Sequence, residues 1–254
     1  MRVEAELFVA PDGGGAYRRC AELFVEASAA AISSTGRFTV ALSGGSTPTE
    51  LYGLLSGEAY RLRISWQDIH FFWGDERYVP PDHADSNFRM TKESLLDRIG
   101  VPSSNIHQVV TDREDPAQIA AEYESQLVQF FRLARSGQPR FDLILLGMGE
   151  DGHTASLFPE TPALQVKDRA VVANYVEKLE SWRITLTPPA INNALHVIFL
   201  ITGASKASAV RDVLEGPYRP ERLPSQLIDP VKGRLTFILD RAAAGGLSAP
   251  SLSR

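Results

Sequence analysis

The sequence predicts an α/β fold, a parallel-rich sheet covered by helices on both faces. Two observations carry that reading. Short apolar, β-branched runs alternate with segments of helical periodicity along the 254 residues, the order that strand–helix–strand crossovers require. Several of the strand runs also end in loops rich in glycine, hydroxyl or charged residues, at the strand ends where open α/β sheets bind ligands.

The first strand is read over residues 7–10. A helix over 16–32 follows, in which Cys20, Leu23, Phe24, Ala27 and Ala31 recur at helical spacing. A strand over Phe38–Leu42 leads to a helix over 48–55, and a strand over Ile69–Trp73 leads to a helix over 88–99, for which Asp85 or Ser86 is a candidate cap. A helix over 117–134 precedes a strand over 141–146. Strands over Val171–Val176 and 196–202 and a last helix over 206–214 complete the pattern. With no internal repeat, low-complexity block or convincing linker, residues 1–254 read as a single domain, and the Ser-, Gly- and Pro-rich tail over 245–254 is expected to fray.

A composition of 44% hydrophobic and 22% charged residues is that of an ordinary globular protein. The formal net charge of −5 argues against a non-specific nucleic-acid binder, yet leaves room for a compact anionic substrate held by a few local cations. The single cysteine, Cys20, excludes an intramolecular disulfide, fits a reducing compartment and reads as a core residue. The N-terminus lacks a long apolar region, so no signal peptide is expected, and no apolar run approaches the ~20 residues of a membrane span. A cytoplasmic protein with neither nucleic acid nor membrane as partner, a monomer or weak homo-oligomer, is the expectation.

Four loops carry the chemistry. Ser43-Gly44-Gly45-Ser46-Thr47 directly follows the second strand; its glycines admit a close ligand, and the start of the next helix favours an anion. Thr47, Pro48 and Glu50 there match a capping box with proline at the first helical position. Two glycines alone would serve a plain turn, but the hydroxyls of Ser43 and Ser46 favour phosphate binding. The G-K-[ST] ending of a Walker loop is missing.

Gly147-Met148-Gly149-Glu150-Asp151-Gly152 matches a dinucleotide fingerprint. The reading is rejected because Pro159 cuts the following helix short and two carboxylates occupy the place of a cofactor phosphate. Read as a strand-end loop, the segment offers His153 as a proton carrier with a neighbouring acid, Glu150 or Asp151, to orient it. His70, His83, His107 and His196 form no ligand-like spacing with carboxylates or with Cys20, so no metal site is predicted.

Gly74-Asp75-Glu76-Arg77 forms a charged loop after the third strand, where Arg77 suits substrate oxygens or a developing oxyanion. Lys206 falls in a first helical turn, against the helix dipole, a conflict that a bound anion removes. It is therefore a second phosphate ligand, and Arg183, on an alternating stretch with threonines, is a further candidate.

These segments, with Asp85-Ser86-Asn87, the run from Gly147 through Ser156-Leu157-Phe158-Pro159, Gly203-Ala204-Ser205-Lys206-Ala207, 183–192 and 223–228, resemble the 6-phosphogluconolactonases in order over nearly the whole chain. The resemblance implies a modified doubly wound, Rossmann-like sheet, shared with the glucosamine-6-phosphate deaminases. It implies hydrolysis of 6-phospho-D-glucono-1,5-lactone, a phosphosugar lactone, in the second step of the oxidative pentose phosphate pathway, without a required cofactor. The deaminases are the runner-up; they typically carry tyrosine where this chain has Arg77. A non-catalytic sensor of phosphorylated sugars is the alternative of another class, and it would not need His153, Asp151 and Arg77 together. The expected mechanism places the phosphate on Ser43-Gly44-Gly45-Ser46-Thr47 and Lys206, with Arg183 as a further ligand. His153 is the base that activates water, Arg77 stabilises the oxyanion or fixes the sugar, and Asp75 or Asp151 orients a partner.

Overall fold

The computed structural model describes residues 5–134 and 137–248. Strand β1 (Glu6–Ala10) is followed by helix α1 (Gly13–Thr35), β2 (Phe38–Leu42), α2 (Ser46–Ser56), the single turn α3 (Glu58–Arg61), β3 (Ile69–Trp73) and β4 (Asp75–Arg77). Then come α4 (Asn87–Thr91), which continues through a π-turn at Lys92–Leu96 into α5 (Asp97–Ile99), and α6 (Pro116–Phe131). The second half holds β5 (Leu143–Leu146), β6 (Val171–Val176), β7 (Ser181–Leu186), α7 (Pro188–Asn192), β8 (His196–Ile201), α8 (Ala207–Leu214) and β9 (Arg234–Asp240).

Six strands form one parallel sheet in the order β1-β9-β8-β5-β2-β3, flanked by helices. Every residue of β2, β5 and β8 is buried, as near-continuous apolar runs in the middle of a covered parallel sheet should be. The chain steps outward from β2 to β3, then crosses to the other side of β2 and continues outward through β5, β8 and β9. The reversal lies between β2 and β5, so the loops leaving these strands diverge and open a crevice at their carboxyl ends.

The sequence reading contains no strand over Arg234–Asp240, yet β9 lies between β1 and β8 in the sheet, and two further corrections concern a smaller sheet. Residues 171–176 do form a strand, but it belongs to a separate three-stranded antiparallel sheet, β4-β7-β6. The charged segment Asp75-Glu76-Arg77, read as a loop, is the third strand of that sheet. Period-two alternation specifies a strand without specifying its partner, and a three-residue charged strand gives no apolar signal at all. Gly74 joins the two sheets: its N–H donates to Leu42 O of β2 (2.8 Å) and its carbonyl accepts from Leu186 N of β7 (2.8 Å).

Local caps explain where the long helices start and stop. The Asp12 side chain accepts from Gly15 N at the start of α1, and Gly36, at φ 77°, ends the helix in the left-handed conformation. Ala16, Cys20, Leu23 and Phe24 form its buried stripe, so Cys20 is a core thiol, its pKa pushed up to about 12 by burial. Two buried tyrosines tie down the ends of neighbouring strands. Tyr52 OH accepts from Ser43 N (3.1 Å) and donates to Ser43 O (2.8 Å) just past β2, while Tyr123 OH does the same for Trp73 N (2.9 Å) and O (3.0 Å) at the end of β3. In the C-terminal tail, Ala243–Gly246 is a 3-10 turn and Ser248 N donates to Glu215 Oε1; residues 249–254 of the tail expected to fray lie outside the described residues. No helix among the described residues is long and apolar enough to cross a membrane.

Candidate active site

A cleft of about 230 Å³ opens where β2 and β5 part. Ser43, Gly44, Gly45, Ser46 and Thr47 line one side of it, with Lys206 beside them. Gly45, at φ 105°, turns the chain directly into α2, which begins at Ser46 with no side-chain cap. The expected capping box therefore does not form: Pro48 is the third helical residue rather than the first, and Thr47 Oγ1 meets Thr202 Oγ1 at 2.9 Å instead. The helix start is left without a side-chain cap, an arrangement whose dipole favours an anion. Ser43 is buried with its backbone held by Tyr52, yet its Oγ has no hydrogen-bond partner among the described residues. Lys206 ends the 3-10 turn Ala204–Lys206, which Gly203, at φ 98°, starts at the end of β8.

On the β5 side, the loop from Gly147 to Pro159 contains no helix, which disposes of the dinucleotide fingerprint on structural grounds. Its glycines answer to a different need. A β-carbon on Gly149 would lie 2.0 Å from His153 Nδ1, so the position must be glycine for the histidine to fold back over it. His153 Nδ1 lies 2.5 Å from Asp151 Oδ1. An ionised carboxylate can only accept, so Nδ1 carries the proton, and the neutral ring would present the lone pair of Nε2. The ring stacks on Phe158 at 4.1 Å between centroids, which gives the Ser-Leu-Phe-Pro run a physical task. The other oxygen of Asp151 accepts from Lys178 Nζ. Burial opposes ionisation of Asp151, but the hydrogen bonds from His153 and Lys178 outweigh it and hold the carboxyl below the usual range.

The third wall is β4. Asp75 is buried and lines the cleft; its Oδ2 accepts from Ser156 Oγ (2.6 Å) and its backbone oxygen from Asn87 Nδ2 (2.8 Å). Arg77 also lines the cleft and donates to Asp85 O (2.7 Å). Glu76 points the other way, 1% exposed, and accepts from Arg77, Asn87 and Phe88 N–H groups and from Ser86 Oγ. It secures the start of α4, where Ser86 is the cap that the sequence suggested. Burial raises the pKa of Glu76 despite those donors.

The cleft thus gathers Asp75, Arg77, His153, Lys206 and the Ser43-to-Thr47 loop, with Asp151 one layer behind His153. Arg183 is not in its lining. It sits opposite Arg77 in the β4–β7 ladder, with Nη1 donating to Ser181 Oγ (2.7 Å) and Trp182 O (3.0 Å). Burial, and then the neighbouring Arg77 charge, lower the pKa of its guanidinium. The sequence reading missed Asn87, Phe158 and Lys178 as parts of the site; Asn87 and Phe158 each lie in a segment that carries the resemblance, whereas Lys178 has no local signal. Among the described residues no group of three or more His, Cys, Asp or Glu is placed to hold a metal ion.

The sequence model of the family described as "Glucosamine-6-phosphate isomerases/6-phosphogluconolactonase" matches residues 11–237. The chain belongs to that family. A relative named 6-phosphogluconolactonase from Nostoc sp. (strain PCC 7120) is 45% identical over 240 residues, covering 94% of this chain and 97% of its own. Another of the same name from Synechocystis sp. (strain PCC 6803) is 46% identical over 217 residues, 85% of this chain and 88% of its own. The solved structure of 6-phosphogluconolactonase from Trypanosoma cruzi superposes with a TM-score of 0.87 at 31% identity, covering 98% of this chain and 99% of that one. The family membership accounts for the doubly wound sheet and for every motif that suggested it.

Proposed function

We propose that this chain hydrolyses 6-phospho-D-glucono-1,5-lactone to 6-phosphogluconate, the second step of the oxidative pentose phosphate pathway. The observation that carries the proposal is that His153, its Nδ1 proton given to Asp151, shares one cleft with an uncapped helix start and Lys206. That combination suits a phosphorylated substrate that needs a base.

In this reading the phosphate lies against Ser43, Gly44, Gly45, Ser46, Thr47 and Lys206, and the unpartnered Oγ of Ser43 donates to it. The lone pair of His153 Nε2 takes a proton as water adds to C1. The carbonyl oxygen then carries a negative charge, which Arg77 stabilises, while Arg183 behind it adds positive potential on the same strand face. Collapse breaks the bond from C1 to the ring oxygen, which takes the proton back from the imidazolium. Asp75 holds the sugar from β4, kept in place by Ser156 and Asn87. Water supplies the added oxygen and both protons, so the balance closes with no other reactant. Arg77, where deaminases typically have tyrosine, favours an oxyanion over an isomerisation.

The test is a coupled assay that generates the lactone freshly from glucose 6-phosphate and follows acid release above the spontaneous rate. Wild-type acceleration, reduced about 10²–10⁴-fold in His153→Ala, is the expected result. Full activity in His153→Ala would remove the base. A wild type that is inert towards the lactone, but releases ammonia from glucosamine 6-phosphate, would move the chain to the deaminase side of its family. Saturable binding without turnover of either would make it a sensor.

A further inference from the structure

We infer that Lys178 is a positioning residue for the proposed reaction: it holds the second oxygen of Asp151, so that the carboxylate fixes the His153 tautomer without trapping the ring as imidazolium. The inference rests on the lactone-opening reading above, and it concerns a residue on an element that no sequence motif joins to the histidine loop.

The geometry is a relay of three side chains from two elements. Lys178 sits in the 3-10 turn Glu177–Leu179 at the tip of the hairpin formed by β6 and β7, and its Nζ donates to Asp151 Oδ2, while Asp151 Oδ1 faces His153 Nδ1. Lys178 Nζ also stands 5.6 Å above the Phe158 ring on which His153 stacks, so the cation and the imidazole share one aromatic support. The tip is closed by Glu180 in the left-handed region, φ 46°, an uncommon conformation for a residue with a β-carbon.

The electrostatic consequence has a definite sign. A carboxylate beside an imidazole favours the protonated ring, which is useless as a base. A cation bonded to the far oxygen draws on the same carboxylate charge and offsets that bias, while the near oxygen still accepts the Nδ1 proton. The other charged groups about His153 are Glu150 on its own loop, Asp75 and Arg77 from β4, and Lys206 from the turn before α8. Among the charged groups of the described residues, only Lys178 and His153 itself are bonded to the carboxylate that orients the ring.

The experiment compares the wild type with Lys178→Met and Lys178→Arg, following the pH dependence of kcat/KM for the lactone and, separately, the His153 ring resonance by NMR titration. In Lys178→Met the acidic limb and the NMR midpoint should both move to higher pH, by about one unit, with KM on the plateau unchanged. Lys178→Arg should restore both. In an Asp151→Asn background the Lys178→Met change should shift neither, because the carboxylate it acts through is gone. Unmoved midpoints, or a shift that persists without Asp151, would overturn the inference. A KM raised several-fold with an unmoved limb would make Lys178 a substrate ligand instead. The NMR arm needs no turnover, so it decides the point even if the wild type proves inert towards the lactone and the proposed function fails.

Discussion

Asn87 fills the space that a side chain at position 44 would need: a β-carbon on Gly44 would lie 1.7 Å from Asn87 Oδ1. The same asparagine donates from Nδ2 to Asp75 O at 2.8 Å, so one side chain spans the glycine loop and the β4 wall of the cleft.

Gly44→Ala should therefore damage binding as well as folding. The overlap is too deep for a small adjustment, and relieving it moves Asn87 off Asp75. A loss of about 1–3 kcal/mol, seen in denaturant unfolding, should accompany a raised KM. Asn87→Ala in the same chain should recover the stability and leave the KM high. An alanine variant with wild-type stability would show that the contact is looser than described.

Arg77→Lys and Lys206→Ala should separate the two halves of the proposed reaction. A point charge cannot reproduce the planar fork of Arg77, and loss of one oxyanion donor typically costs about 10² or more in kcat. In the proposed reaction Lys206 holds the phosphate, so its removal should raise KM and largely spare kcat. Steady-state kinetics on the two variants checks both; the opposite pattern would exchange their roles.

Tyr52→Phe removes the one hydroxyl that satisfies both backbone groups of Ser43. Leaving buried backbone groups unpaired costs about 1–3 kcal/mol. A lower Tm and a weakened hold on phosphate should appear together, measured by thermal unfolding and by inorganic phosphate as a competitive inhibitor. Unchanged inhibition with a lowered Tm would confine Tyr52 to stability.

Acid should destabilise the fold before it reaches the carboxylates. Burial, with the nearby His70, lowers the pKa of His107 to about 4; burial, with Arg234, lowers that of His196 to about 4. Both are neutral in the folded state, while the unfolded chain takes up protons below its ordinary value of about 6.5. The unfolded state therefore binds more protons across that interval, and stability falls as the pH drops from about 6.5 towards 4. His107 stacks on Phe72 at 4.3 Å, so His107→Phe suits the same aromatic cluster and should flatten the Tm-against-pH curve there. An unaltered slope would place the acid sensitivity elsewhere.

Much of the site is legible in the sequence because its parts are contiguous. Gly149, Asp151 and His153 satisfy one another within five residues, and the glycines after β2 mark a loop whatever lies around it. The long helices follow from periodicity and five of the six parallel strands from short apolar runs, whereas β9, the strand over Arg234–Asp240, is absent from the sequence reading. What could not be read are contacts between distant segments. Asp75 meets Ser156 across 81 positions, and Lys178 reaches Asp151 across 27. No spacing encodes either. The capping box at Thr47 failed because the left-handed Gly45 starts the helix first, a backbone choice that local propensity cannot weigh.

Gly74, hydrogen-bonded to β2 on one side and β7 on the other, makes the corner between the sheets a brace rather than a hinge. The wall that carries Asp75 and Arg77 cannot swing independently of the strand that leads into Ser43. A ligand entering between them meets a corner pinned on both sides by backbone hydrogen bonds. Lengthening the corner by a single residue would convert a rigid jaw into a mobile one without altering any group that touches the ligand.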